Sequence, residues 1–149
     1  MHGMIGAMTP EAILEDLVLG QTCLAERREY DWNFHFGQGR NLGVGGRWRI
    51  VTEKGIALAD QDDGHQFGHP QAVDGEALAN KLLSSQRAEA VSVDQLTADL
   101  RITFGGGVRL DIFNNSSGYE AWQANLDPTE GDGVALIGMG GGGLTIWPG

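Results

Sequence analysis

The chain of 149 residues is the size of one domain, long enough to bury about two-thirds of its unfolded surface without disulfides or metals. Its 20 acidic against 10 basic residues give a net charge of −10, which repels phosphate backbones and anionic lipid and so argues against nucleic-acid and membrane-surface binding. A single cysteine, Cys23, rules out an internal disulfide, and no apolar run reaches the roughly 18 residues of a helical membrane span.

The opening MHGMIGAMTP lacks the basic region of a secretory signal, so a reducing cytoplasm is the expected compartment. The stretch TPEAILEDLVLG predicts a helix over 9–19. Thr9 can cap it, Pro10 suits its first turn, Ile13, Leu14, Leu17 and Val18 share one face, and Gly20 stops it. Cys23 follows in an apolar alternation and reads as a small buried hydrophobe, with no flanking motif of a nucleophile.

From residue 30 the period changes from 3.6 to 2. YDWNFHFGQGRNLGV alternates, turns on glycines and alternates again, which predicts a β-hairpin. RWRIVTEKG and GIALADQ predict two further strands. DQDDGHQFGHP then gathers Asp60, Asp62, Asp63, His65 and His69. An EF-hand loop needs Gly at its sixth position and Glu at its twelfth, whereas Gly64 stands fifth and Gln71 twelfth. The glycines and Pro70 deny the two histidines a helix, so a solvated acidic loop is expected and no metal site. DGEALANKLLSS predicts a second helix, capped by Asp74, with Ala77, Leu78 and Leu82 covering one side.

The segment ADLRITFGGGVRLDI at 98–112 lies over residues 30–44 at a constant offset of 68. Asp31 matches Asp99, Phe36 matches Phe104, Gly37 and Gly39 match Gly105 and Gly107, and Leu42 matches Leu110. Each copy follows a helix and a lead-in strand, QTCLAER or AEAVSVD. One domain over 1–149, with an internal duplication of 9–59 and 73–125, is the expectation. The fold class is α+β: antiparallel sheet from two pseudo-repeated helix-strand-hairpin units, with two helices packed on the sheet. A split into two small sheets is the alternative.

FNNSSGYEAW follows the second hairpin. Its Asn, Ser and Gly residues suit a turn, after which Tyr119 and Ala121 are expected on one strand face and Glu120 and Trp122 on the other. Two short strands, GVALIGMG and GLTIW, end the chain. The GMGGGG run has neither the Lys nor the helix of a phosphate loop and predicts a flexible hairpin connection. No motif of a hydrolase, zinc enzyme or cofactor site occurs, so neither an enzyme nor a cofactor is expected.

ADLRITFGGGVRLDIFNNSSGYEAWQ, with the closing GMGGGGLTIW, resembles the C-terminal part of a family of small uncharacterised bacterial proteins. Tyr119, Glu120 and Trp122 stand at that family's signature positions. Some such proteins are thought to be immunity partners of polymorphic toxins. The resemblance and the negative charge together imply a cytoplasmic protein-binding module that neutralises a basic toxin domain by occlusion. Its contact candidates are Glu11, Glu15, Asp16, Asp60, Asp62, Asp63, Asp127, Glu130 and Asp132. A second hypothesis is a small-molecule-binding protein or small enzyme using a cleft between the halves, lined by His35, Tyr119, Glu120 and Trp122. A third is an oligomeric role in which exposed strands pair between subunits.

Overall fold

The computed structural model describes residues 9–126 and 133–148. Of the expected contact residues, Asp127, Glu130 and Asp132 lie outside the described residues. Helix α1 (Pro10–Val18) starts where its caps place it: Thr9 Oγ1 accepts the Ala12 N–H at 3.1 Å, and Ile13, Leu14, Leu17 and Val18 are buried. Helix α2 (Gly75–Leu83) is capped by Asp74, whose carboxylate accepts the Ala77 N–H at 3.1 Å. Its buried residues are Gly75, Ala79 and Leu83, with Leu78 and Leu82 half-buried and Ala77 exposed. The expected face is therefore rotated. A Cβ on Gly75 would stand 2.9 Å from the Asp63 carboxylate, so glycine at this position admits the acidic loop.

Eleven strands follow in chain order among the described residues: β1 (Leu24–Arg27), β2 (Trp32–His35), β3 (Arg40–Val44), β4 (Arg47–Thr52), β5 (Gly55–Ala59), β6 (Ala88–Val93), β7 (Leu100–Phe104), β8 (Arg109–Phe113), β9 (Trp122–Leu126), β10 (Val134–Gly138) and β11 (Leu144–Pro148). They form two antiparallel sheets, ordered β1-β2-β3-β9-β10-β11 and β5-β4-β8-β7-β6. The mixed α+β class with two helices stands, and the single sheet is replaced by two. Strand β4 does not continue beside β3. It pairs with β8 of the second sheet, while β9 pairs with β3 of the first.

The corner at Gly45 and Gly46 makes the first crossing. Both N–H groups donate to the Ala121 carbonyl at 3.0 Å, and a Cβ on Gly46 would stand 2.5 Å from the Phe113 carbonyl oxygen. No side chain fits there, so the chain can turn sharply between layers. The return crossing is the segment 114–121, which leaves β8 and enters β9. The polar stretch that breaks the second hairpin's alternation is thus the bridge between the two sheets.

One continuous core fills the space between the layers. The first sheet contributes Phe34, Phe36, Leu42, Val44, Trp122 and Leu136, and the second Trp48, Ile50, Leu58, Ile102, Phe104 and Leu110. Trp48 meets Trp32 and Phe34 edge-on, with ring centroids 4.9 and 5.4 Å apart. Cys23 is buried in this core, and burial pushes its thiol well above the ordinary range, which suits a packing role. Helix α1 touches β6 and β9, and α2 touches β1 and β5, so both helices bridge the sheets. Asn80 of α2 also treats edge strand β1 as a partner strand would. Its Oδ1 accepts the Ala25 N–H at 2.6 Å and its Nδ2 donates to the Ala25 carbonyl at 3.0 Å. Among the described residues no helix is long and apolar enough to cross a membrane.

Candidate functional site

The acidic loop is turned inward rather than solvated. Asp60 accepts the Trp48 N–H at 3.0 Å and pairs with Arg47 at 2.9 Å. Asp62 accepts the Ala59 N–H at 2.9 Å. Asp63 binds Arg27 through two bonds of 2.7 and 2.8 Å and accepts the Gly75 N–H at 2.7 Å. These three carboxylates join the loop to β1, β4, β5 and α2. Next to them, His65 stacks on Phe67. Glu11, Glu15 and Asp16 are exposed on α1, though Glu11 accepts from Gln95 and Asp16 faces Arg40 at 3.4 Å.

Arg27's hydrogen bonds hold the Asp63 carboxyl below its ordinary range, against the opposing effect of partial burial. A carboxyl depressed on folding stabilises above its unfolded pKa of about 4, and that contribution disappears as pH falls through the lower folded value. Urea midpoints at pH 7 and pH 3 are expected to differ less in Asp63→Asn than in the parent. At pH 7 the substitution should destabilise by about 1 kcal/mol, the pair being partly solvated.

The outward face of the first sheet gathers a different set. Period-2 geometry turns Phe34 and Leu42 inward and leaves two rows outside. One row runs His35, Asn41, Asn125, Ala135 and Trp147, and the next Glu26, Asn33, Gly43, Gln123 and Ile137. Amides dominate where β2, β3 and β9 meet. Gln123 Nε2 donates to Asn125 Oδ1 at 2.8 Å, and Asn125 Nδ2 donates to Asn41 Oδ1 at 2.9 Å. The Arg28 guanidinium lies over Gly43, where a Cβ would be 3.5 Å from its Nη2, and Asp31 holds it by two bonds of 2.7 Å.

These residues line a trough of about 370 Å³. A neighbouring hollow of about 560 Å³ shares Arg28, Asp31 and Gly45 with it and is also lined by Tyr30, Arg47 and Asp60. Two buried side-chain polar atoms among the described residues have no hydrogen-bond partner, Asn33 Oδ1 and Trp48 Nε1. Trp48 sits in the core, but Asn33, only 8% exposed, borders the trough. An orphaned buried acceptor is costly unless a donor reaches it.

Of the four residues expected to line a pocket, Glu120 and Trp122 border the trough, and His35 and Tyr119 do not. His35 shares the sheet face but is engaged with Glu26 at 2.8 Å. His35 is also the main cause of the lowered Glu26 pKa, with smaller contributions from Arg28 and Asn33. Tyr119 is 84% exposed in the crossover, and β9 begins only at Trp122, so Tyr119 and Glu120 occupy a connector and not a strand. Trp122 points the other way: its ring is in the core and its N–H donates to the Ala98 carbonyl at 2.7 Å.

Asn33, Asn41, Gln123 and Asn125 carry no motif. Their signal was the polar half of each alternation, NFH, RNLGV and WQANL, which placed them outward but not together. No family model matches the chain, and neither a curated protein nor a solved structure does.

Proposed function

We propose that the chain is a protein-binding module of the immunity type, acting in the cytoplasm by occluding the active site of a basic toxin domain. Its docking surface in this reading is the outer face of the first sheet. The observation that carries it is the polar trough of about 370 Å³ on that face, bordered by Asn33, Asn41, Gln123, Asn125 and Glu120. A lysine or arginine from the partner seats in this trough, and Glu120 at the rim supplies a countercharge. Exposed aromatics support an interface around it: Tyr30, Tyr119 and Trp147 are 89%, 84% and 63% exposed, and such side chains anchor partners in well-packed contacts. The acids of α1, Glu11, Glu15 and Asp16, extend the negative field that draws a basic protein in.

The same reading takes the fold as two copies of one unit. Its support is the pairing of the hairpins, Trp32 with Val44 and Phe34 with Leu42 in one, Leu100 with Ile112 and Ile102 with Leu110 in the other, at the offset of the sequence match. A duplicated unit makes the β3–β9 seam a junction between halves, and the trough lies on that seam.

The test is co-purification from the native host together with calorimetry against the domain encoded by the neighbouring gene. Asn33→Leu should weaken binding at least about tenfold while leaving the melting temperature near the parent value, because it removes an acceptor that has no partner. The reading fails if the neighbouring gene encodes no toxin-like domain and no basic partner co-purifies, or if Asn33→Leu leaves the affinity unchanged. A second reading, a small polar ligand in the trough, is favoured by its volume of about 370 Å³. A thermal shift on metabolite screening that Asn33→Leu abolishes would select it.

A further inference from the structure

The outer face of the second sheet carries an unusual concentration of positive charge for so acidic a chain. Across it the row Ala59, Arg49, Asp111, Arg101 and Ser92 runs from β5 to β6, with Arg109 two residues along β8. All three arginines converge on one carboxylate: Arg101 Nε lies 2.8 Å, Arg49 Nε 3.2 Å and Arg109 Nε 3.2 Å from Asp111 oxygens. The Asp111 side chain is only 3% exposed, whereas those of Arg49, Arg101 and Arg109 are 34%, 50% and 36% exposed. Burial alone would raise the Asp111 carboxyl, and the hydrogen bonds from Arg101, Arg49 and Arg109 outweigh it, so the group is held below its ordinary range and charged.

One carboxylate needs one cation. Three guanidinium groups against it leave a net charge of +2 on these four side chains, with Asp94 and Asp99 lying beyond Arg101. Each arginine spends its Nε on Asp111, and no Nη group of the three has a protein acceptor among the described residues. Arg49 is held further by the Phe113 ring, 5.1 Å from its guanidinium carbon. The Nε contacts gather the three guanidinium groups at one point while their side chains stay part-exposed, an arrangement suited to multidentate recognition of oxyanions.

We propose that Arg49, Arg101 and Arg109, organised by Asp111, form a binding site for a small tetrahedral dianion, phosphate free or as a monoester. The ligand's two negative charges match the excess, and its several acceptor oxygens match the free Nη groups. The class is small because acids close one end of the site. Asp94 and Asp99 border the shallow depression beside Arg101, so an extended polyanion would run across them. The chain's overall charge of −10 does not forbid the site, since at physiological salt fields fade over about 8 Å and local charge decides.

The experiment is calorimetric titration of the full chain with inorganic phosphate at constant ionic strength, sodium chloride replacing phosphate in the control. One site per chain is expected, with Arg101→Gln and Arg109→Gln each weakening it about tenfold while far-ultraviolet spectra stay unchanged. Phenyl phosphate separates the sources: binding equal to phosphate means a monoester is admitted, and binding of phosphate alone limits the site to the free ion. Asp111→Asn adds positive charge but releases the array, so a preorganised site weakens. If that variant does not fold, the two glutamine variants decide. Tighter binding in a folded Asp111→Asn, an equal response to chloride, or no loss in Arg101→Gln and Arg109→Gln would overturn the proposal.

Discussion

Trp122→Ala is expected to destabilise the protein by about 4 kcal/mol, the range for deleting a buried aromatic. The ring is 2% exposed and lies so close to β10 that a Cβ on Gly138 would stand 2.6 Å from it. The cavity would open between β9, β10 and the 94–99 turn. Trp122→Phe isolates the polar part of the effect. It keeps most of the ring but leaves the Ala98 carbonyl, accepting at 2.7 Å in the parent, without its donor. A loss of about 1–2 kcal/mol is expected. Urea unfolding of the three proteins checks both figures. If the phenylalanine variant matched the parent, the indole hydrogen bond would have no part in holding the 94–99 turn against β9.

Gly142→Ala carries the second large effect, about 3 kcal/mol or more. Its φ is +109°, and a Cβ there would come 1.9 Å from the Leu96 carbonyl oxygen, a backbone atom that cannot swing aside. Gly143→Ala is the control, since Gly143 also has a positive φ, of +83°, but faces open space. It should lose only the backbone term, about 1 kcal/mol. The difference between their melting temperatures measures the close approach alone. The glycine-rich connection is accordingly a hairpin loop, as its composition suggests, but not a loose one. Gly141 N–H donates to the Ser116 carbonyl at 2.9 Å, so the loop is fastened to the crossover that precedes β9.

Local chemistry was legible. Thr9, Pro10 and the apolar spacing of α1 specify its start and its buried face, and alternation located the hairpins at 32–44 and 100–113. Partnership was not. Alternation says which side of a strand is apolar, and nothing in RWRIVT or WQANL says that one lies beside β8 and the other beside β3. The single-sheet expectation failed on that point. The same gap hid the candidate site, because Asn41 and Asn125 are 84 residues apart and become neighbours only through the β3–β9 pairing. The acids at 60–63 misled for another reason. A cluster of aspartates reads as solvated, but Asp60 and Asp63 meet Arg47 and Arg27, whose approach depends on tertiary geometry. Tyr119, Glu120 and Trp122 look like one motif in the sequence, yet Tyr119 is exposed, and of the two that border the trough Trp122 buries its side chain in the core.

The crossing of β4 into the second sheet and of β9 into the first has a kinetic consequence. Neither residues 9–63 nor residues 73–126 can complete a sheet without strands from the other. Long loops must close before the β3–β9 and β4–β8 ladders form, which places the chain among the slower folders, in milliseconds to seconds. Cleaved between the halves, in the loop 64–72, either fragment alone would present unpaired strand edges and aggregate, while the two together would recover the native spectrum.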